Sequence, residues 1–161
     1  MSLEKDQEYI RSVIKGYKKE IEPLFWYVPW LEARYGKKVS DSFSCENFSE
    51  RTMRFPVYEG TLLRFVADVE STGLLDRNYR YLYTRHRIHT PEDERKLIQN
   101  ATIKDLDILT GILSRYILEG KTKGTVWPAG VEEGIYLDIL RKFQELFVKW
   151  CQPTGESKQQ E

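Results

Sequence analysis

The residues best suited to recognition chemistry form one basic and aromatic segment in the middle of the chain. Four arginines alternate there with three tyrosines: Arg77, Arg80, Arg85 and Arg87, with Tyr79, Tyr81 and Tyr83. Arginine beside stackable rings is the combination that binds single-stranded nucleic acid. The alternative is a helix whose tyrosines enter the core and whose arginines pair with the acids of residues 92–94. A nucleic-acid surface would rely on Arg80, Arg85 and Arg87, but the formal net charge of zero makes nucleic acid the less expected partner.

A second candidate site combines arginine, tyrosine and glutamate side chains from separate parts of the chain. Its members are Arg54, Tyr58, Arg115, Glu119 and Glu133. Catalysis would require these groups to converge in one concave pocket with a strongly shifted carboxyl pKa. Without such a pocket, they are candidates for binding a ligand or a partner. Glu119 is unfavourable at a helix C-terminus unless it is paired, so we predict an ion pair with Arg54 or Arg115.

Trp127 is the third candidate, because it lies in a glycine-punctuated connector between two predicted helices. The connector runs from Gly120 to Gly130. A large ring in an exposed loop is a favoured recognition anchor. The alternative is that Trp127 folds back as a lid over the two helices. Gly120 is predicted to adopt the left-handed conformation that commonly follows a helix end.

Two other motifs are weaker than they first look. Gly120-Lys121-Thr122 resembles the end of a phosphate-binding loop, but Arg115 stands where the loop needs its first glycine, and a helix precedes it instead of a strand. His86 and His89 are three residues apart with no cysteine and no well-spaced carboxylate beside them. We therefore expect no metal site and no cofactor.

Length and composition indicate an ordinary globular chain. It has 161 residues, of which 40% are hydrophobic and 31% charged, a balance typical of one domain. We predict a single helical domain over residues 1–151 and a polar, disordered tail over residues 152–161. Cys45 and Cys151 form neither a disulfide framework nor a zinc motif, which favours the cytoplasm. The longest apolar run, Leu24 to Leu31, is too short to span a membrane, so no membrane association is expected.

Apolar residues recur at spacings of three and four along most of the chain, which is the period of helices that bury one face. The predicted helical segments are residues 2–19, 22–36, 59–72, 78–89, 90–100, 102–119 and 132–150. Pro29 should kink or split the second, and Thr90 and Thr102 should cap later ones. Lys37 to Tyr58 lacks a period and is predicted to be an ordered loop with at most a short strand. The fold class is therefore all-α: one compact bundle of about five or six helices with a C-terminal helical hairpin and one long irregular segment.

Several short motifs resemble a bacterial family known as domain of unknown function 6508. They are Leu109-Thr110, Arg115-Tyr116, Glu119-Gly120, Glu132-Glu133-Gly134, Leu137 and Leu140-Arg141, with Phe55-Pro56-Val57-Tyr58, Phe65 and Gly73-Leu74 upstream. The likeness extends over about two thirds of the chain. It implies a small helical bacterial protein and brings no established activity with it.

The sequence leads to three functional hypotheses. The first is a non-catalytic binding or protein-interaction module that uses Arg54, Tyr58, Arg115, Glu119, Trp127 and Glu133 for an unknown protein or small-molecule partner. The second is an enzyme that uses the arginine, tyrosine and glutamate pocket. The third is a nucleic-acid-binding protein that uses the segment from Arg77 to His89. Self-association into a homo-oligomer is compatible with all three.

Overall fold

Helices dominate this computed structural model, which describes residues 2–37, 40–46 and 52–151, with side chains for residues 7–37 and 59–149. The α-helices of this part are α1 (Ser2–Ile21), α2 (Val28–Arg34), α3 (Gly60–Glu70), α4 (Tyr79–Arg85), α5 (Pro91–Gln99), α6 (Leu106–Glu119), α7 (Val126–Glu132) and α8 (Ile135–Cys151). Two 3₁₀ helices, Glu22–Tyr27 and Ile103–Asp105, and two strands, β1 (Ser40–Glu46) and β2 (Thr52–Tyr58), complete it. The predicted all-α fold class is confirmed. The predicted tail, residues 152–161, lies outside the described residues.

One continuous apolar core holds the helices together. Its fully buried members include Ile112 and Ile117 of α6 and Ile139 and Phe143 of α8. Residues from α1 to α8 join the same cluster, so the apolar stripes read from the sequence meet at one centre. Burying a side chain of this size contributes about 1.5–3 kcal/mol of transfer free energy.

Two predicted caps begin helices as expected. The Thr90 hydroxyl accepts a hydrogen bond from the backbone N–H of Asp93, and the Asp93 carboxylate accepts one from the backbone N–H of Thr90. Thr102 and Asp105 form the equivalent box before α6. Both caps satisfy donors that a helix start leaves unpaired, which is why this local pattern could be recognised without the fold.

The predicted break near Pro29 is present. The chain forms the 3₁₀ helix Glu22–Tyr27 and then α2, with Pro29 in the first turn of α2. Proline lacks the N–H that a helix interior uses, so it is accommodated at a new helix start. Leu24, Tyr27 and Leu31 of this region are all buried in the core.

The segment from Lys37 to Tyr58 differs from the predicted irregular loop. Its described parts form an antiparallel pair, in which Ser40 lies opposite Tyr58 and Phe43 opposite Phe55. The backbone hydrogen bonds of each strand are made with the other strand, so the pair does not depend on a larger sheet. Strand β1 is rich in serine and carries little hydrophobic alternation, whereas Met53, Phe55 and Val57 of β2 do alternate and were a signal for a strand. Residues 38–39 and 47–51 lie outside the described residues.

The connector also differs from its prediction. Helix α7, Val126–Glu132, contains residues that were predicted to form a loop. It contacts both α6 and α8. Pro128, Gly130 and Val131 of this helix are buried. The described residues therefore contain eight α-helices instead of five or six: one in each of the seven predicted helical segments, and α7 in the connector.

Candidate functional site

The densest group of polar side chains surrounds Glu94, which is only 1% exposed. Its Oε1 atom accepts a 2.6 Å hydrogen bond from the Tyr116 hydroxyl. Its Oε2 atom accepts a 2.6 Å bond from the Tyr83 hydroxyl and a 3.1 Å bond from Nη1 of Arg115. A buried carboxylate is costly unless it is paired and hydrogen-bonded, and here both of its oxygen atoms are satisfied.

Arg115 connects this buried carboxylate to Glu119. Its Nε atom lies 3.2 Å from Oε1 of Glu119, which confirms the predicted pairing of that acid with an arginine. Its guanidinium carbon lies 5.0 Å from the ring centre of Tyr116 and 5.7 Å from that of Tyr83. The Tyr79 hydroxyl donates to Oε2 of Glu119 at 3.3 Å. We call Tyr79, Tyr83, Glu94, Arg115, Tyr116 and Glu119 the Glu94 network.

The two tyrosines bound to Glu94 act as fixed hydrogen-bond donors. Burial raises the pKa of Tyr83 and of Tyr116 well above the ordinary value, and the negative charge of Glu94 raises both further. Their phenol groups therefore stay protonated through the physiological range. Since the donors and acceptors satisfy one another, the main effect of the network is to clamp α4, α5 and α6 together.

The remaining predicted pocket residues do not join this network. Glu133 binds Arg95, with 2.7 Å between its Oε1 atom and Nη2, and it is close enough to Tyr116 to raise the pKa of that phenol. Arg54 and Tyr58 lie on β2, opposite Ser44 and Ser40, and their side chains lie outside the described part of the chain. Of the five predicted residues, the described contacts join only Arg115 and Glu119.

Glu94 was not predicted to be the centre of this group. It was grouped with Glu92 and Asp93 as an acid that could pair with the arginines of the basic segment. A signal was available, because Glu94 lies four residues before buried Ile98 and so shares its helix face. A carboxylate on an apolar face indicates a buried partner.

A shallow depression of about 190 Å³ between α5 and α8 contains a different acid. It is lined by Ile98, Gln99, Asp138, Arg141, Lys142 and Glu145. Burial raises the pKa of the Asp138 carboxyl, although Arg95 and Arg141 oppose this effect. Arg141 binds Glu32 at 2.6 Å, and Lys142 donates to the carbonyl oxygen of Gln99 at 3.0 Å. None of the residues predicted for a catalytic pocket lines this depression.

Trp127 is a structural lid rather than an exposed loop residue. Its indole N–H donates a 2.9 Å hydrogen bond to the carbonyl oxygen of Ile117, and the partly buried ring packs against the core. A Cβ atom at Gly120 would lie 2.0 Å from a ring carbon of Trp127. Gly120 is right-handed, with φ of −66°, so the predicted left-handed cap is wrong. Glycine is needed here because the indole lies against its backbone.

The basic segment forms a helix with two chemically distinct faces. Tyr79 and Leu82 of α4 are buried and Tyr83 reaches the Glu94 network, whereas Arg80, Tyr81 and Arg85 are exposed. The prediction that this segment is helical is therefore confirmed. We call the exposed residues Arg77, Arg80, Tyr81, Arg85 and Arg87 the arginine surface.

The arginines of this surface do not pair with the neighbouring acids, contrary to one of the predicted alternatives. Glu94 binds Arg115 in the interior, and the Asp93 carboxylate accepts backbone hydrogen bonds at the start of α5. None of the four arginine side chains forms a salt bridge or hydrogen bond with another residue of the described part of the chain. The guanidinium carbon of Arg80 lies 5.8 Å from the ring centre of Tyr79.

Arg87 occupies a backbone position that usually carries glycine. Its φ is 55°, in the left-handed region. The N–H of Ile88 donates to the carbonyl oxygen of Tyr83 at 2.9 Å, and the N–H of Arg87 donates to that of Thr84 at 3.2 Å. These two bonds define a Schellman helix end, where glycine avoids the steric cost of a left-handed Cβ. Arginine is therefore retained here at a conformational cost of about 1 kcal/mol.

Searches against protein-family models, curated proteins and solved structures found no match for this chain. The resemblance to domain of unknown function 6508 therefore remains a prediction. No helix within the described residues is long and apolar enough to cross a membrane. The same residues contain no group of three or more histidine, cysteine, aspartate or glutamate side chains arranged to hold a metal ion.

Proposed function

We propose that this protein is a non-catalytic binding module that recognises an anionic macromolecule through the arginine surface. The observation that carries the proposal is the exposure of four guanidinium groups with no carboxylate partner in the described part of the chain. A guanidinium group presents five N–H donors in a planar fork that matches carboxylate and phosphate groups. On the arginine surface these donors face solvent and are available to a partner.

Several arginines elsewhere in the fold are paired with acids, whereas Arg11 and Arg64 are exposed and form no salt bridge within the described residues. Arg95 binds Glu133 at 2.7 Å, Arg141 binds Glu32 at 2.6 Å, and Arg115 binds two glutamates. Acids are as numerous as bases in the chain, with 25 of each, so unpaired cations are not a consequence of an acid shortage. Their concentration on and beside one short helix supports a local binding surface.

Because the net charge of the chain is zero, the arginine surface attracts an anionic partner only at short range. Charges farther apart than the Debye length, about 8 Å at physiological ionic strength, are largely screened. A partner must therefore contact the arginines directly. The left-handed conformation of Arg87 supports the same interpretation, because a strained residue that glycine could replace is often kept for a functional reason.

The catalytic alternative has less support. The densest polar group, the Glu94 network, uses both oxygen atoms of its buried carboxylate in internal bonds. Arg115 and Glu119 bind each other, and Glu133 binds Arg95.

We also propose a cytoplasmic location, which is supported by the lack of a disulfide-type cysteine pattern in the sequence.

Retention on immobilised heparin tests the proposal, since this sulfated polysaccharide presents anions without the features of a protein or a nucleic acid. We expect the parent protein to be retained at low salt and the double variant Arg80→Ala/Arg85→Ala to pass through. The matched control is Arg11→Ala/Lys15→Ala, which removes two exposed cations from α1. Equal retention of the parent and the Arg80→Ala/Arg85→Ala variant would overturn the proposal.

A further inference from the structure

We infer that the anionic partner is an acidic, extended segment of a polypeptide. This inference rests on the proposed function and specifies the partner of the same arginine surface. It is carried by the exposure of only one of the three tyrosines, the spacing of the exposed side chains and the hydrogen bonds that anchor α4.

The tyrosines distinguish a polypeptide partner from single-stranded nucleic acid. Surfaces that bind single strands stack successive bases on several exposed aromatic rings. Here the hydroxyl groups of Tyr79 and Tyr83 bind Glu119 and Glu94, and only Tyr81 of the three is exposed, at 69%. One free ring offers a single stacking position. It is also sufficient to pack against one apolar side chain of a peptide, as interface tyrosines commonly do.

The spacing of the exposed side chains fits an extended peptide that lies along one face of α4. Residues four apart on a helix, such as Tyr81 and Arg85, share a face and are separated by about 6 Å along the axis. Residues two apart in an extended strand share a face and are separated by about 6.6 Å. A peptide with a glutamate two positions from an apolar residue would therefore place the apolar side chain against Tyr81 and the carboxylate beside Arg85.

The Glu94 network holds the binding helix in place before the partner arrives. Tyr79 and Tyr83 anchor α4 to Glu119 of α6 and Glu94 of α5. Arg80 lies against the ring of the anchored Tyr79, which restricts its guanidinium group. A rigid surface loses less conformational entropy on binding than a mobile one. This favours recognition of a short segment with few contacts.

Fluorescence anisotropy with two labelled probes tests this inference on the full chain. One probe is a short peptide in which glutamate and leucine follow each other at every second position, with serine between them, and the other is an oligothymidine carrying the same number of negative charges. At physiological salt we expect the peptide to bind more tightly than the oligonucleotide. Arg80→Ala/Arg85→Ala should weaken peptide binding about ten-fold or more, because exposed charge pairs contribute modestly but additively.

The controls separate this inference from the proposed function. Arg11→Ala/Lys15→Ala should leave peptide affinity unchanged, and Tyr81→Ala should weaken binding of the peptide with leucine but not of one with serine in its place. Tighter binding of the oligonucleotide, lost in Arg80→Ala/Arg85→Ala, would overturn the polypeptide inference and leave the proposed function standing. Failure to bind heparin and both probes would overturn both. If Arg11→Ala/Lys15→Ala lost as much peptide affinity as Arg80→Ala/Arg85→Ala, the assignment of the binding surface to α4 would be overturned.

Discussion

The hydroxyl group of Tyr116 donates a 2.6 Å hydrogen bond to the carboxylate of Glu94, a residue 22 positions earlier in the sequence and on a different helix. Tyr83 and Arg115 complete the shell around that carboxylate. This arrangement explains how a helix as short as α4 keeps a fixed orientation. Its exposed arginines are displayed because its tyrosines bind in the interior.

Removal of the central carboxylate should destabilise the fold strongly. We expect Glu94→Ala to lower the free energy of unfolding by about 3–5 kcal/mol, because Arg115 and two phenol groups lose their shared partner. Glu92→Ala in the same helical turn is the control and should change stability by no more than about 0.5 kcal/mol. Urea unfolding measures both. Similar small losses in the two variants would show that the network contributes little to stability.

Two tryptophans of different exposure should respond differently to truncation. Trp127→Ala should cost about 3 kcal/mol, because it removes a packed ring and leaves the Ile117 carbonyl without its donor. Trp26 is 66% exposed, so Trp26→Ala should cost less than about 1 kcal/mol. The two variants are compared by the midpoints of their urea unfolding curves, provided that the free energy of unfolding depends equally on urea concentration in both. A near-zero effect of Trp127→Ala would restore its interpretation as a recognition anchor.

Glycine-to-alanine substitutions should have opposite effects at two positions. At Gly120 an added methyl would clash with the Trp127 ring, so we expect a loss of about 1–3 kcal/mol. At Gly16, inside α1, no other group lies within 4 Å of the added atom. Alanine there should stabilise the protein by about 0.5–1 kcal/mol, because it reduces the entropy of the unfolded chain. Thermal unfolding would reveal whether the signs differ.

Substitution of Arg87 should affect stability and binding differently. Because its φ is 55°, Arg87→Gly relieves a strained conformation and should leave stability unchanged or raise it by up to about 1 kcal/mol. The same variant should bind heparin more weakly than the parent. Chemical unfolding and heparin elution, measured on one preparation, test both statements. Unchanged elution would remove Arg87 from the arginine surface, and a clear loss of stability would contradict the strain argument.

Asp138 should make a pH-dependent contribution to stability. Burial raises its pKa in the folded state, so the folded protein holds this proton more tightly than the unfolded chain does. The charged carboxylate therefore opposes folding at neutral pH, and this penalty disappears as the pH falls below the unfolded pKa of about 3.9. Asp138→Asn should be more stable than the parent at pH ~7, with a smaller difference at pH ~3.5. Urea midpoints that differ equally at both values would contradict this assignment.

Features that depend on neighbouring residues could be predicted from sequence. The caps at Thr90 and Thr102, the break at Pro29 and the ion pair between Arg115 and Glu119 all join groups within about one helical turn. Helical periodicity likewise identified the stripes that form the core. Short-range geometry is nearly the same in every helix, so these relationships did not require knowledge of the fold.

Features that depend on distant residues were decided by tertiary packing. Tyr79, Tyr81 and Tyr83 are identical in type, yet only Tyr81 faces solvent, because Glu119 and Glu94 bind the other two across 40 and 11 positions. Glu94 resembled an exposed acid at a helix start until its partners enclosed it. The sequence by itself determined the helices and the supply of charges. Tertiary structure decided which charges neutralise one another and which face a partner, since pairing depends on distances in space that local patterns do not contain.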